Sequence, residues 1–105
     1  MSGQGFNQIG EQYGLKVDST PKSLTLPLHP ATNEKLTPHH ALIWVADYPV
    51  RWSAHASPST TSGMWVPANS YINWTEPGWS YYSFLARVKF LGIGGQATLD
   101  IVYLD

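Results

Sequence analysis

Short runs of alternating apolar and polar residues, cut every few positions by proline or glycine, fill most of this chain of 105 residues. No window of about 12 residues carries the 3.6-residue period of an amphipathic helix. Leu24, Leu26 and Leu28 alternate with Ser23, Thr25 and Pro27, which predicts a half-buried strand with an edge-like end. A loop with Pro30 and Pro38 follows. Ala41 to Ala46 is apolar on both faces, as a central strand is. Asp47-Tyr48-Pro49 reads as a turn, Val50 to Ser53 as a returning strand, and Ala54 to Ser62 as a loop of small residues. Met64 to Val66 and Ser70 to Trp74 are two more short strands, closed by the turn Glu76-Pro77-Gly78-Trp79.

The C-terminal part gives the clearest pattern. Phe84, Ala86, Val88 and Phe90 share one strand face, and Ala97, Leu99, Ile101 and Tyr103 share another, with Gly92-Ile93-Gly94-Gly95 between them. Matching these faces predicts a hairpin in which Phe90 meets Ala97, Val88 meets Leu99 and Arg87 lies across from Asp100. Seven or eight short antiparallel strands without a helix point to an all-β fold. The expectation is a single small β-sandwich, jelly-roll-like, over residues 13–105.

Residues 1–12 differ. They are rich in Gly, Gln and Asn, and Phe6 and Ile9 are their sizeable apolar groups after Met1. Such a stretch buries too little surface to offset the entropy of ordering it. It is either a frayed terminus or an extended N-terminal arm that orders on a neighbouring subunit through Phe6 and Ile9.

Composition narrows the function classes. Charged residues are 12% of the chain, about half of the ~25% usual in soluble domains, while aromatics reach 13% with five Trp and six Tyr. A surface so poor in charge is expected to face another subunit or a ligand in part. Net charge is −1, and six Lys and Arg spread along the chain make no basic patch, so nucleic acid is not an expected partner. The chain has no cysteine, which excludes disulfides, thiolate metal sites and thiol catalysis. Met1 to Gly14 lacks the charged and apolar regions of a signal peptide, and no apolar run approaches the ~18 residues of a membrane span. Asn73-Trp74-Thr75 matches a glycosylation sequon, which without a secretory route is coincidental.

The chemical motifs weaken on inspection. Gly92-x-Gly94-x-x-Ala97 nearly fits a dinucleotide fingerprint, but that motif needs a following helix and a strand pattern follows instead. His29, His39, His40 and His55 have no carboxylate at ligand spacing. Asp47, Ser53 and His55 are close in sequence but lack a nucleophile elbow. No catalytic, cofactor-binding or metal-ligating residue is assigned, and the chain is expected to be non-enzymatic.

The aromatics carry more information. One small sandwich cannot bury them all, because positions of opposite strand parity cannot share an inner face. Strand parity places Trp44 opposite to Ile43 and Val45, and Trp65 opposite to Met64 and Val66. Trp52 reads as core. The expected interface residues are Phe6, Ile9, Trp44, Arg51, Trp65, Trp74, Trp79 and Tyr81, with Arg51 placed to stack on Trp44 across a hairpin. Outward Trp and Tyr serve a subunit interface or a sugar-stacking platform; the latter also needs Asp, Asn or Arg close by.

Ala41-Leu42-Ile43-Trp44-Val45 followed by Val50-Arg51-Trp52 resembles a family of small tailed-phage virion proteins. Members often carry "ALI-x-V", then "VRW", a loop with "PT" and Gly, and a closing strand. Here the loop reads Ser57-Pro58-Ser59-Thr60-Thr61-Ser62-Gly63, and the closing strand is Ala97 to Leu104. The family's polar "RDDG" is replaced by Ser53-Ala54-His55-Ala56, and its Leu after the loop Gly by Met64-Trp65-Val66. The resemblance spans about residues 24–105 and implies a capsid decoration or cement protein on the phage head, made in the host cytoplasm. It implies the major capsid protein and a homotrimer as partners, with no cofactor and no membrane. The alternative is a carbohydrate-binding or tail-fibre β-sandwich module using surface Trp and Tyr.

Overall fold

The computed structural model describes residues 8–34, 38, 40–75 and 81–104. Among these residues are eight strands, β1(Gln8–Val17), β2(Lys22–Ser23), β3(His40–Ala46), β4(Val50–Ser53), β5(Met64–Val66), β6(Ser70–Thr75), β7(Lys89–Gly92) and β8(Ala97–Leu104), and one short helix, α1(Tyr81–Arg87), between β6 and β7. The strands form two four-stranded antiparallel sheets, ordered β1-β8-β3-β6 and β2-β7-β4-β5. The pairing is nested: β4 with β5, β3 with β6, β2 with β7 and β1 with β8. A long antiparallel ribbon has thus been wound on itself, and the pairs β3–β8 and β4–β7 close the winding. This is the jelly-roll topology, and the all-β sandwich expected from the strand pattern is the fold.

Alternation decides which side of each strand is buried. In β3, Ala41, Ile43 and Val45 are fully buried while Leu42, Trp44 and Ala46 are half-buried on the outer side. In β8, Ala97, Leu99, Ile101 and Tyr103 point inward at 0% exposure. They meet Val50, Phe90 and Val88 from the other side of the core.

The C-terminal hairpin does not form. β7 and β8 lie in opposite sheets, so their matched apolar faces look at each other across the core instead of lying side by side. Phe90 pairs with Lys22 and Trp52, and Leu99 with Leu15 and Val45. Period-two alternation is the same for both arrangements, which is why it misassigned the partner. Nor is 84–88 a strand. Phe84, Leu85 and Val88 stand at helical spacing and pack inward, the Val88 N–H bonds the Phe84 carbonyl at 2.9 Å, and Ala86 and Arg87 are exposed. A seven-residue helix is marginal alone, so packing holds it. Arg87 sits in α1 and Asp100 in the first sheet, opposite Trp44.

The N-terminal boundary also shifts. Residues 8–12, expected in the arm, belong to β1 and pair with β8. Their poor apolar content matters little, because the backbone ladder and the neighbouring sheet supply the order. Leu24 and Leu26 pack inward as expected, but the ladder covers Lys22 and Ser23 only. Thr25 is instead tied to β1: its N–H donates to Gln12 Oε1 at 3.0 Å.

Four short links gather at one end of the sandwich, 18–21, 47–49, 67–69 and 93–96, as the strand registers require. Each carries the chain from one sheet to the other. Asp47 (φ 77°) and Asn69 (φ 61°) take the left-handed conformation that these links need and that Asx residues tolerate. Lys16 Nζ donates to Thr98 Oγ1 at 2.9 Å, and Thr98 Oγ1 donates to Asp47 Oδ2 at 2.8 Å, tying β1, β8 and the 47–49 link together.

Among the described residues Tyr103 is the largest fully buried side chain, and its hydroxyl donates to the Thr25 carbonyl at 3.2 Å. Burial pushes its phenol above the ordinary value near 10. The folded state therefore keeps the proton that the unfolded chain releases above pH ~10, so stability is full below that pH and falls as pH rises beyond it. Tyr103→Phe should cost about 0.5–1.5 kcal/mol at neutral pH and flatten the alkaline loss. Urea titrations from pH 7 to 11 check both, and an unchanged alkaline slope would contradict the assignment to Tyr103.

Candidate functional site

The outer sides of the two sheets are dressed differently. On the second sheet the 54–63 loop folds back over the strands. Pro58 within it is buried, and Leu91 on β7 is only 4% exposed. Ser59 organises the loop: its Oγ accepts the N–H groups of Thr61 and Ser62. Ser53 Oγ likewise accepts from the N–H groups of His55 and Ala56. Arg51 is half-buried and donates through Nη1 to the Gly63 carbonyl at 2.8 Å, fastening the end of the loop.

Across from Arg51 lies Trp65, 49% exposed on β5, and beside it Met64 is 60% exposed. β5 is a three-residue edge strand, so both of its sides reach solvent. The outward position of Trp65 follows the parity of its strand. Met64 is exposed as well, because among the described residues no strand lies beyond β5.

The first sheet keeps an open outer face. β3 presents Leu42 and Trp44, β8 presents Asp100 and Val102, and β6 presents Tyr71 and Asn73. Trp44 stands opposite both Tyr71 and Asp100 in register. The Trp44 and Tyr71 rings are 4.7 Å apart and tilted by 56°, and Tyr71 is 63% exposed. With Leu42, Asp100 and Val102 they line a shallow depression of about 320 Å³. A bulge in β1 sets Tyr13 and Gly14 against the single residue Asp100. Gly14, at φ 73°, donates its N–H to Asp100 Oδ1 at 2.8 Å, which fixes the carboxylate.

The expected interface residues therefore separate. Trp44 and Trp65 point outward, on different sheets. Arg51 cannot stack on Trp44, because the two residues lie in different sheets; its cross-strand neighbour is Trp65. Trp74 is turned inward. It meets Trp52 at 5.1 Å and Phe84 at 4.8 Å, both edge-to-face, and Phe90 at 6.1 Å, in a cluster that fills the core beneath α1. Trp52 is part of that core, as read from the sequence. Ile9 packs against the chain's own core. Phe6 and Trp79 lie outside the described residues, as does the side chain of Tyr81. Tyr71 and Asp100 were not picked from the sequence. Parity against Ile72 and Trp74 is the signal that would have found Tyr71. Asp100 was read as the partner of Arg87.

A second depression, about 370 Å³, lies between the 54–57 turn and the end of α1, lined by His55, Ser57, Arg87 and Lys89 among others. Asp47 and Ser53 sit at opposite ends of the link and strand 47–53, with Asp47 engaged by Thr98, so they form no unit with His55. Among the described residues no three His, Cys, Asp or Glu stand close enough to hold a metal ion, and no helix is long and apolar enough to cross a membrane. Comparison with family models, curated proteins and solved structures finds no match to this chain.

Proposed function

We propose that this protein is a non-enzymatic structural component of a tailed-phage virion, a decoration or cement protein that docks on the head surface and bridges major capsid protein subunits. The observation that carries the reading is the Met64–Trp65 edge. Two large apolar side chains, 60% and 49% exposed, occupy consecutive positions on the two sides of a short edge strand, in a domain that has few charges. A Trp on an open strand edge supplies both an anchor for a partner's pocket and backbone groups for strand addition. The resemblance to phage virion proteins supports the same reading: its motif segments are the framework strands β3, β4 and β8 and the loop that covers the second sheet. Bridging subunits would add buried interface to the closed shell and so stabilise it. A homotrimer is the proposed oligomer.

The test is the protein composition of purified heads and tails, followed by re-addition of variants to heads that lack the protein. Wild-type protein should be found on heads. Met64→Lys with Trp65→Ala should lower its affinity for heads by about tenfold or more while leaving its folding unchanged. Absence from heads, or undiminished binding by the double variant, would overturn the proposal.

A further inference from the structure

We propose that the open face of the first sheet is a binding site for a neutral pyranose saccharide, stacked on Tyr71 and Trp44 and hydrogen-bonded through Asp100. This inference is independent of the virion reading, which rests on the β5 edge in the other sheet.

A sugar site needs an apolar platform for the C–H face of the ring and a fixed polar group for its hydroxyls. Both are present here. The exposed ring of Tyr71 offers a π-face, which is the electron-rich side that meets ring C–H groups. Trp44, tilted 56° against it, makes the platform concave instead of flat. Asp100 stands directly across from Trp44 on the neighbouring strand, and Asn73 lies one outward position along from Tyr71. The Gly14 N–H occupies Oδ1 of Asp100, while Oδ2 takes no hydrogen bond among the described residues and is available to accept from a vicinal diol. The β1 bulge aims that N–H and also sets the exposed Tyr13 beside the site.

Size and charge narrow the ligand. The depression of about 320 Å³ is at the small end of ligand pockets, ~300–1,000 Å³, which suits one or two sugar rings. Its lining holds a carboxylate and no cation, so uronic or sialic acids are disfavoured and neutral hexoses or N-acetylhexosamines favoured. A protein partner would gain little from a buried, unpaired carboxylate at the centre of the contact, whereas sugar hydroxyls satisfy it.

The experiment titrates the full chain with neutral hexoses, N-acetylhexosamines and their short oligomers, read by calorimetry and by amide NMR shifts. At least one of these should bind saturably, with shifts on β3, β6 and β8. Tyr71→Ala and Asp100→Asn should each weaken binding about tenfold. Both variants should fold, since Tyr71 is exposed and Asn keeps an acceptor for Gly14. Trp65→Ala should bind the sugar as well as wild type. No saturable binding across the panel would overturn the site, as would binding that survives both substitutions. Loss of head binding by Tyr71→Ala, with no sugar bound by wild type, would assign the face to a protein partner and overturn it too.

Discussion

Gly92→Ala should be among the most damaging single substitutions in this chain. A Cβ at Gly92 would sit 2.3 Å from the Val17 carbonyl oxygen and 2.6 Å from that of Gly95. Both are backbone atoms of strands or links tied into the sandwich, so no rotamer change relieves the clash. The Gly92 N–H also donates to the Asp18 carbonyl at 2.8 Å, and Gly92 pairs with Val50, so shifting it loosens two sheets at once. Overpacking typically costs 1–3 kcal/mol; with backbone on both sides we expect about 3 kcal/mol or more. Two neighbouring glycines calibrate the result. At Gly95 the Cβ meets the ring of Tyr48, which is 43% exposed and can swing away, so Gly95→Ala should be milder. At Gly94 there is room, but φ is +84°, and the left-handed conformation alone should cost about 1 kcal/mol. Urea midpoints that do not place Gly92→Ala below the other two would contradict the crossing geometry of the 93–96 link.

That link is also where sequence reasoning reached its limit. The Gly92-Ile93-Gly94-Gly95 segment was legible as a tight connection, and Ala97 to Leu104 as a strand with one apolar side. What alternation cannot report is whether two apolar faces are edge-on neighbours or face each other over a core. The backbone approach at Gly92 decides it, and that is a contact with residue 17, far away in sequence. The strands β3, β4, β5 and β6 were read nearly to their ends, because each is bounded by Pro, Asp, Asn or Gly. α1 was missed because Phe84, Ala86 and Val88 fit a strand and Phe84, Leu85 and Val88 fit a helix over the same short span. β1 was missed because a strand can be ordered by its neighbour's ladder without apolar content of its own.

For the site, parity was a sound guide to single residues and no guide to their assembly. It sent Trp44 and Trp65 outward, yet only the fold shows that they lie on separate sheets. It could not foresee that Asp100 would come to rest against Trp44, 56 positions earlier in the chain, because that pairing belongs to the winding of the ribbon. Polar neighbours for the aromatics were the missing requirement for a sugar platform. Asp100 and Asn73 supply them through β8 and β6.

Trp74→Ala should cost about 3 kcal/mol, the low end of the range for large core aromatics because the ring is partly buried against the core, against a total of ~5–15 kcal/mol for a typical domain. Three ring contacts end with it: the edge-to-face pairs with Trp52 and Phe84, and the tilted pair with Phe90. The cavity would open where α1 rests on the sandwich. Phe84 would lose its ring partner, and a helix of seven residues has little stability of its own. Trp65→Ala is the matched comparison, since it removes the same side chain from a half-exposed edge and should change stability by no more than about 0.5 kcal/mol. Both tryptophans sit in short strands, Trp65 between Met64 and Val66 and Trp74 between Asn73 and Thr75, and these neighbours do not show which one is turned inward. Their difference is one of position in the wound ribbon: β6 turns Trp74 under the helix, and β5 leaves Trp65 at a rim. Near-UV circular dichroism should lose its coupled-aromatic signal in Trp74→Ala alone, and its urea midpoint should fall well below that of Trp65→Ala. Equal midpoints for the two variants would show that Trp74 is not a core residue and would return it to the surface set.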